Sequence, residues 1–501
     1  MFEDLLQSST SVSLLVVAGV LLGLHLVYSA FCSKENTRAP PGPKPLPLLG
    51  NLLQLDFKRL DISLLNLSKK YGSVFTVYFG SKKVVVLAGY KTVKQALVDQ
   101  DEDFGERSVS PIFNDINKGY GIVFSNGITW QEMKPFALTA LRSLETKGLT
   151  EEKIIEECHQ LIKSFQQYNG KAFDNSRTLA CAAINIISAL TFGRRYEYTD
   201  PVLQAMVDQD LLSISHLKST SIQMYNIFPW LGPFIKNRRD LVKGAEIKKE
   251  ESERIIADLK ETLIPGKTRC YVDEFLIHRS KLEESEIRHS QYNDVSLVHC
   301  VRNLFQTGTI TAENKIKWSL LLMAKYPRIQ DQVQEELRRV VGRRQVRVWD
   351  RKYMPYTDAV LHEIHRFANI IPMAVPHRTS RDVTFQGYFI KKGTTVFPLL
   401  TSVLFDESEW ENPHTFNPSR FLDKDGKLIR KDAFLPFSAG RRVCLGEGLA
   451  RMELFLFLTS LLQQFRFTPP PGVTEDEMDL TPVAGVVLHP SPYELCAVNL
   501  Y

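Results

Sequence analysis

Residues 437–446 read FSAGRRVCLG, and the apolar stretch EGLARMELFLFLTSLLQQF follows directly. Cys444 therefore lies in a glycine-rich, doubly basic loop at the expected start of a helix. The unpaired N–H groups and the dipole of a helix N-terminus stabilise negative charge, so a thiolate is favoured there. The stretch therefore predicts that Cys444 is a functional thiolate.

The residues around Cys444 distinguish between three possible roles of the cysteine: nucleophile, structural residue and metal ligand. A nucleophilic cysteine would need a histidine partner, and this segment contains none. A buried structural cysteine would need neither Gly440, which permits a tight turn, nor Arg442, whose fork binds a carboxylate. Gly446 lets a flat partner lie against the backbone, and Phe437 shields the sulfur from water. A thiolate bound to the iron of a flat, anionic macrocycle uses all of these features, so the loop predicts a haem site.

The bulk composition excludes several classes of protein. Of the 501 residues, 44% are hydrophobic and 24% are charged, which is enough for a large packed core. The net charge of +5 is spread along the chain, which argues against a nucleic-acid partner. The seven cysteines form no CxxC pair, which argues against a disulfide scaffold or a structural zinc site and favours a reducing compartment.

The first fifty residues predict attachment to a membrane. No charged residue lies between Asp4 and Lys34, and residues 12–31 are apolar and long enough to cross a bilayer as a helix. The acidic start and the long apolar core argue against a cleaved signal peptide. We therefore expect a single-pass anchor at residues 1–33, with the rest of the chain in the cytoplasm. Prolines make residues 34–50 a stiff, extended hinge.

Residues 51–501 contain no second linker and no internal repeat, so we expect one domain. Helical periodicity is typical of residues 151–168, 314–326 and 329–342. Alternating apolar residues predict strands near 73–80, 83–89, 382–390 and 394–400. The apolar, aromatic stretch at 225–234 fits either the core or a second surface that dips into the membrane. The predicted fold class is mainly α with a small β-sheet region, plus an N-terminal transmembrane helix.

The pattern F-x-x-G-x-R-x-C-x-G of the opening loop is similar to the haem-ligand loop of the cytochrome P450 family. From PPGPKPLPLLGN at 40–51 to its C-terminus, the chain resembles vertebrate microsomal family-2 members. The resemblance implies a mainly helical triangular prism with a small sheet domain. It also implies haem b with Cys444 as the axial thiolate, and a place in the endoplasmic reticulum membrane with residues 51–501 as the cytoplasmic catalytic domain.

The sequence HEIHR at 362–366 places Glu363 and Arg366 on one helical face. The resemblance implies that these two residues and Arg420 in FNPSRF form a structural set that locks the haem-side core. The same spacing recurs at 335–338 and in other charged segments, where an exposed surface pair is expected. The two histidines of HEIHR are three residues apart, so the segment is not the HExxH motif of a zinc protease.

The resemblance also implies which residues bind the rest of the haem. The predicted cofactor-binding residues are Arg107, Trp130, Lys134, His377, Phe437, Gly440, Arg442 and Gly446. The family usually has arginine four residues after the tryptophan. Lys134 is a cation but lacks the fork of an arginine. Pro135 falls where the helix should continue, so we expect a kink or a shift there.

Residues 307–312, TGTITA, match the position of the family's central helix. The resemblance implies that Gly308 opens this helix for oxygen and that the Thr311 hydroxyl donates a hydrogen bond at the oxygen site. A threonine on a helix more often bonds its own backbone. The acid that the family uses to relay protons is replaced by Ile310, which carries no proton. Glu313, one turn further on, is a candidate replacement.

These features predict a haem-thiolate monooxygenase that inserts one atom of oxygen into a lipophilic molecule such as a fatty acid, a steroid or a xenobiotic. Electrons would come from NADPH through NADPH-cytochrome reductase, with cytochrome b5 as a further candidate donor. The resemblance implies a substrate pocket lined by Ile112, Phe113, Phe305, Thr307, Thr311, Ile371, Val375, Val483 and Val486. Two alternatives stay open: a degenerate relative with peroxide-supported or isomerase activity, and a non-catalytic haem-binding protein.

Overall fold

The computed structural model describes residues 12–13, 16–20, 23, 38–264, 266–284, 291–485 and 487–500. Most of the predicted anchor at 1–33 and the predicted pocket residue Val486 therefore lie outside the described residues. Within the described ranges, no helix combines the length and the apolar character that a membrane span requires.

Helices make up most of the described chain, as the sequence predicted. They are α1 Leu60–Tyr71, α2 Tyr90–Lys94, α3 Pro111–Asn117, α4 Gly127–Thr146, α5 Leu149–Gln166, α6 Ser176–Phe192, α7 Pro201–Lys218, α8 Thr220–Ile227, α9 Lys236–Glu261, α10 Tyr271–Glu284, α11 Asp294–Lys325, α12 Pro327–Val340, α13 Pro355–Ala368, α14 Thr401–Leu404 and α15 Glu447–Gln464. Short 3₁₀ turns lie at Leu52–Gln54, Phe57–Arg59, Pro229–Phe234, Val348–Tyr353, Pro418–Phe421 and Gly440–Arg442.

The strands are short and form small sheets. They are β1 Val74–Phe79, β2 Lys82–Leu87, β3 Glu106–Arg107, β4 Ala172–Phe173, β5 His377–Arg378, β6 Val383–Phe385, β7 Tyr388–Ile390, β8 Thr395–Pro398, β9 Phe465–Thr468, β10 Pro482–Val483, β11 His489–Pro490 and β12 Leu495–Asn499. The largest sheet has the order β1-β2-β8-β5-β3, with β1 and β2 antiparallel and β2 and β8 parallel. The four strand regions that the sequence predicted are confirmed.

The long helix α11 runs through the middle of the fold. Its 32 residues span about 48 Å at the usual rise per residue. The side chain of Asn293 accepts a hydrogen bond of 2.9 Å from the Ser296 N–H and so caps its first turn. Apolar side chains from its second half, such as Trp318 and Leu321, join the largest core cluster with residues of α5, α6, α12, α13 and α15. This helix therefore forms a wall that several other helices share.

The proline-rich segment before α1 packs along the sheet. Thr76 of β1 donates its N–H to the Pro41 carbonyl at 2.7 Å. The Asn51 side chain accepts the Tyr78 N–H at 2.7 Å and donates to the Pro43 carbonyl at 3.3 Å. These contacts hold the segment against β1, and residues 46–50 close into a turn bridged by Leu46 and Gly50, so the extended hinge over 34–50 stays a prediction.

The stretch 225–234 divides between the two expected environments. Tyr225 is buried near α3 and donates its hydroxyl to Asp115 at 2.7 Å. Trp230 and Phe234, in the 3₁₀ turn Pro229–Phe234, are 71% and 81% exposed. The first part of the stretch therefore belongs to the core, whereas its tip is an exposed aromatic surface.

Candidate active site

A cavity of about 290 Å³ lies between the Cys444 loop and helix α11. The loop residues 436–446 form one side of it, and Thr307, Gly308 and Thr311 of α11 lie along another. Helices α4, α6, α13 and α15 and residues 370–375 complete the lining. The cavity therefore joins the two motifs, the cysteine loop and the central helix, that the sequence singled out separately.

The conformation of the Cys444 loop depends on two backbone hydrogen bonds and one glycine. The Cys444 N–H donates to the Phe437 carbonyl at 3.0 Å, and the Val443 N–H donates to the Gly440 carbonyl at 3.0 Å. Gly440 has a φ of +70°, and a Cβ there would lie 1.6 Å from the Leu97 carbonyl oxygen. Glycine at this position is therefore required both by the turn and by the close approach of residue 97.

Cys444 differs from the other described cysteines in its surroundings. It is the exposed one of the six, and its exposure is toward the cavity that it lines. Burial raises the pKa of the Cys444 thiol. A hydrogen bond from the Gly446 backbone and the charges of Lys134 and Arg107 lower this pKa, whereas Glu447 raises it. A metal cation at the sulfur would favour the thiolate further.

Two buried arginines lie beside the loop. Arg107 donates to the Val375 carbonyl at 2.8 Å, and Arg442 donates to the Gly105 carbonyl at 2.8 Å. The Nε of Arg107 and one terminal nitrogen of Arg442 are buried without a hydrogen-bond partner among the described residues. Burial lowers the pKa of Arg107 to about 10 and that of Arg442 to about 8. A carboxylate in the cavity would satisfy both guanidinium groups.

His377 lies behind Arg107, and it is not part of the cavity lining that the described residues form. Its Nε2 accepts the Arg107 Nη1 at 2.8 Å, which leaves the proton on Nδ1 for the Phe104 carbonyl at 2.7 Å. Burial and the neighbouring arginine hold the pKa of His377 well below its usual range. The residue is therefore neutral here and positions Arg107, and its predicted contact with the cofactor stays a prediction.

Trp130 and Lys134 bring α4 against the cysteine loop. Lys134 donates to the Arg441 carbonyl and, at 3.1 Å, to the Val443 carbonyl. The Arg442 guanidinium carbon lies 3.9 Å from the centre of the Trp130 ring. Helix α4 continues through Pro135, so the proline does not end it. The lysine that replaces the family's arginine thus binds the loop backbone through its compact ammonium group.

On the α11 side, the Thr311 hydroxyl donates to the Thr307 carbonyl at 2.7 Å, as helical threonines often do. Its oxygen can still accept a hydrogen bond. Helix α11 is unbroken at Gly308, where a Cβ would lie 2.3 Å from Cδ1 of Ile187 on α6. The structure thus gives Gly308 a packing role, and the predicted roles of Gly308 and Thr311 toward oxygen stay predictions.

Ile310 and Glu313 lie outside the lining of the 290 Å³ cavity. Ile310 packs against the main core and lines a second, smaller cavity of about 110 Å³ between α7, α9 and α11. Glu313 pairs with Lys317 at 4.0 Å, and burial raises the pKa of Glu313 to about 7. The structure gives no support to Glu313 as the replacement acid, because its carboxylate points away from the site.

The predicted pocket residues are only partly brought together. Thr307, Thr311, Ile371 and Val375 line the cavity. Ile112 is buried beside Leu217 and Ile222, Phe113 stacks on Phe124, Phe305 lines the smaller cavity, and Val483 is 39% exposed. These four lie outside the lining of this cavity, and their predicted contact with substrate stays a prediction. Lining residues that sequence reasoning missed are Ile122, Val123, Ile187, Leu190, Lys315, His365, Ala374, Leu400 and Glu453.

The predicted set of Glu363, Arg366 and Arg420 is in contact. Arg366 binds the Glu363 carboxylate through two hydrogen bonds of 2.7 and 2.8 Å, and Arg420 reaches the same carboxylate at 3.1 Å. Glu363 and Arg366 are completely buried. Arg366 also donates to the Leu404 carbonyl at 2.8 Å, so the set ties α13 to α14 and to the turn that contains Arg420.

The comparisons with known proteins agree with this geometry. The sequence model of the family described as Cytochrome P450 matches residues 40–497, which include the cysteine loop, α11 and the Glu363 set. The chain belongs to the cytochrome P450 family. It is 60% identical to Cytochrome P450 2K1 of Oncorhynchus mykiss over all of this chain and 99% of that protein.

Similar relatives extend beyond that one protein. The chain is 54% identical to Cytochrome P450 2K6 of Danio rerio over 91% of this chain and 90% of the relative. It is 42% identical to Cytochrome P450 2C3 of Oryctolagus cuniculus over 97% of this chain and 99% of the relative. The resemblance to vertebrate family-2 members is confirmed. Membership implies a haem with a cysteine thiolate, monooxygenase activity on lipophilic substrates and a redox partner.

The residues of this structure fit such a haem. A cysteine sulfur faces the cavity, and two buried guanidinium groups with unpaired nitrogens lie where the propionates of a flat dianion could be bound. A Cβ at Gly446, which also lines the cavity, would meet no atom within 4 Å. A larger side chain there would occupy cavity space, which agrees with the close approach of a flat group to this backbone.

Proposed function

We propose that the protein is a membrane-bound monooxygenase that inserts one oxygen atom of O₂ into lipophilic small molecules, with electrons from NADPH delivered through NADPH-cytochrome reductase. The observation that carries the proposal is Cys444, whose sulfur faces an apolar cavity beside two buried arginines with unpaired nitrogens. A thiolate, a cation pair and an apolar chamber are the parts that haem-thiolate chemistry requires.

In this proposal Cys444 binds the iron of haem b. Arg107, Arg442, Trp130 and Lys134 hold the propionate edge, and His377 orients Arg107. The bound haem supplies the iron at which oxygen is activated, and the thiolate donates electron density that favours O–O cleavage. Phe437, Gly440 and Gly446 shape the loop that presents the sulfur. The Phe437 ring packs at 4.9 Å against the ring of His365.

The chain's own residues prepare the α11 side of the cavity. The Thr311 oxygen can accept a hydrogen bond from a water molecule while its own hydroxyl hydrogen is donated to the Thr307 carbonyl. Apolar neighbours such as Ile371 and Val375 exclude bulk water and favour lipophilic substrates. Fatty acids, steroids and xenobiotics share this chemistry.

We also propose the arrangement at the membrane. Residues 1–33 anchor the chain in the endoplasmic reticulum membrane, residues 34–50 form the hinge, and residues 51–501 form the cytoplasmic catalytic domain. The exposed Trp230 and Phe234 support a second contact with lipid. The reductase, with cytochrome b5 as a further donor, would dock on the basic side that carries the cysteine loop.

The carbon monoxide difference spectrum of the reduced protein tests the thiolate. We expect the long-wavelength Soret band of a thiolate-ligated haem in the wild type, and its loss in Cys444→Ala and Cys444→His. Cys496→Ala serves as a control because Cys496 is buried on β12, far along the chain from the loop. A wild-type Soret band at the shorter wavelength that is typical of imidazole-ligated haem would contradict Cys444 as the thiolate ligand.

A second candidate is a relative that works with peroxide, as an isomerase, or as a haem binder without turnover. It is favoured by Ile310, which replaces the family's acid, and by the Thr311 hydroxyl, which is already bound to its own helix. Product formation with NADPH and reductase would support the monooxygenase. Turnover with peroxide alone, or no turnover with any oxidant, would support the second candidate.

A further inference from the structure

Three buried polar side chains on three helices line the active-site cavity. They are Lys315 of α11, His365 of α13 and Glu453 of α15. Their exposed fractions are 7%, 2% and 4%. The three helices pack against one another in pairs, and all three side chains line the same cavity. None of the three belongs to the cysteine loop or to the arginine pair.

These side chains offer hydrogen-bonding atoms that remain unused. The Oε1 of Glu453 and both ring nitrogens of His365 have no partner in the described part of the chain. The Lys315 ammonium makes one long bond, of 3.3 Å, to the His365 carbonyl. Buried polar atoms are nearly always paired, and a buried water needs two to four such partners. The cluster therefore has the donors and acceptors that hold internal water.

The proton affinities of the acid and the amine lie close together. Burial raises the pKa of Glu453 to about 8 and lowers the pKa of Lys315 to about 7. Burial, Lys315, Arg451, His362 and Arg351 hold the pKa of His365 far below its usual range, so the imidazole is neutral. The Glu453 carboxyl and the Lys315 amine therefore compete for one proton near neutral pH, and water bound by both groups can carry it from one to the other.

One member of the cluster shares a helix with the oxygen side of the site, whereas the His365 ring lies 4.9 Å from the ring of Phe437 in the cysteine loop. Lys315 lies four residues after Thr311, one turn along α11, and both side chains line the cavity. We propose that Lys315, His365 and Glu453 enclose ordered water and share a proton with it, and that this water supplies protons to the Thr311 side of the cavity. The supply to Thr311 rests on the proposed monooxygenase function, whereas the shared proton does not.

The transfer balances without any electron change. The O–H bond of Glu453 breaks as an O–H bond forms on a bound water, and an O–H bond of that same water breaks as an N–H bond forms on the neutral Lys315 amine, so the water is regenerated. In the supply toward Thr311, the Lys315 ammonium would return a proton through hydrogen-bonded water to the oxygen that is being reduced in the cavity. The Thr311 oxygen would accept a hydrogen bond from the last water, and bulk water would restore the proton to the cluster. Ile310 cannot take part, because its side chain holds no proton and faces the core.

A double-mutant cycle on the haem-loaded protein tests the shared proton independently of turnover. The melting temperature Tm is measured for Lys315→Met, Glu453→Gln and the double variant. We expect the Tm shift of the double variant to differ from the sum of the single shifts. Either single substitution already removes the interaction between Lys315 and Glu453, so the second substitution cannot remove it again. Lys317→Met combined with Glu453→Gln is the control, since Lys317 pairs with Glu313 instead. Additive shifts in the Lys315 cycle would overturn the proposal.

The supply of protons to Thr311 is tested by the fraction of NADPH electrons that are released as peroxide. We expect a several-fold increase in Lys315→Met and in Glu453→Gln, with a larger solvent isotope effect on product formation. Glu313→Gln is the matched control, because it is a buried carboxyl on α11 outside the cavity. An unchanged peroxide fraction in either cluster variant would overturn this supply. A wild type that makes no product would instead refute the monooxygenase function, and the Tm cycle would still decide on the shared proton.

Discussion

At the scale of single residues, two glycines of the cysteine loop have different tasks. Gly440 has a φ of +70° and would bring a Cβ within 1.6 Å of the Leu97 carbonyl, whereas a Cβ at Gly446 would meet no atom within 4 Å. The first glycine is therefore needed by the fold of the loop. The second is needed only if a flat group lies against the backbone.

We expect Gly440→Ala to lower the free energy of unfolding by about 3 kcal/mol, because the new Cβ forces residue 97 away and strains the backbone. Gly446→Ala should change it by less than about 1 kcal/mol. Urea unfolding measures both changes. Transfer of haem to excess apomyoglobin should become faster in Gly446→Ala. Equal stability of the two variants would contradict this division of tasks.

Glu313 gives a pH-dependent prediction. Its pKa is raised from 4.5 to about 7, so the folded state binds the proton more tightly than the unfolded state does. The cost of ionising the buried carboxyl is absent below the unfolded pKa and grows as the pH rises from 4.5 to 7. Glu313→Gln should therefore leave stability unchanged at acidic pH and raise it by up to about 3 kcal/mol above pH 7. Urea unfolding at both pH values measures this; a gain that does not depend on pH would contradict it.

At the scale of elements, the site depends on how helices meet each other. The buried Glu363 ties α13 to α14 and to the turn with Arg420, and Gly308 lets α11 approach α6. The Glu363 set lies in the core beside the cavity, whereas Gly308 and Ile187 form part of the cavity wall itself. They fix the walls against which the cofactor and the substrate would be held.

Removal of the buried carboxylate should unfold the core locally. Glu363→Ala leaves the Arg366 cation buried between the Phe405 and Trp410 rings, which should cost roughly 3–5 kcal/mol of stability. Glu335→Ala is the matched control, because Glu335 and Arg338 have the same spacing and a 2.8 Å contact but are 67% and 59% exposed. The control should cost less than about 1 kcal/mol by urea unfolding. Similar losses in both variants would refute the structural role.

The contact between α11 and α6 gives a rescue experiment. Gly308→Ala places a Cβ 2.3 Å from Cδ1 of Ile187 and should cost about 1–3 kcal/mol of stability. Ile187→Ala removes the clashing atoms, since the Cβ of Ile187 itself lies 4.0 Å away. The double variant should therefore lose less than the sum of the single variants. Additive losses, measured by urea unfolding, would show that the close approach is not the reason for glycine here.

At the scale of the whole molecule, the exposed tip of the 3₁₀ turn Pro229–Phe234 is the feature to test. Trp230 is 71% exposed. Trp349, on a different turn, is 56% exposed, and the Arg344 guanidinium carbon lies 5.0 Å from the centre of its ring. For the full chain in vesicles with bromine-labelled lipid, we expect Trp230→Phe to remove most of the lipid quenching of tryptophan fluorescence. Trp349→Phe should remove little. The reverse pattern would place the membrane on another face.

The sequence alone determined the main features of the protein: the mainly helical fold with a small sheet, the cysteine loop before a helix, and the family. The helices and the loop follow from local spacing, because periodicity, glycine positions and the distance from Cys444 to its helix do not depend on remote parts of the chain. The family and the set of Glu363, Arg366 and Arg420 came from the resemblance of the motifs, and the structure brings the three residues of that set together.

Only the tertiary structure decided what faces the cavity. Arg107 and His377 meet across 270 residues, and Lys134 reaches the loop across more than 300. Such contacts depend on how separate helices and strands pack, so Phe113 and Phe305 lie outside the cavity lining in which they were predicted, and Lys315, His365 and Glu453 were missed. A side chain's environment is set by every element around it, whereas its secondary structure is set mainly by its neighbours along the chain.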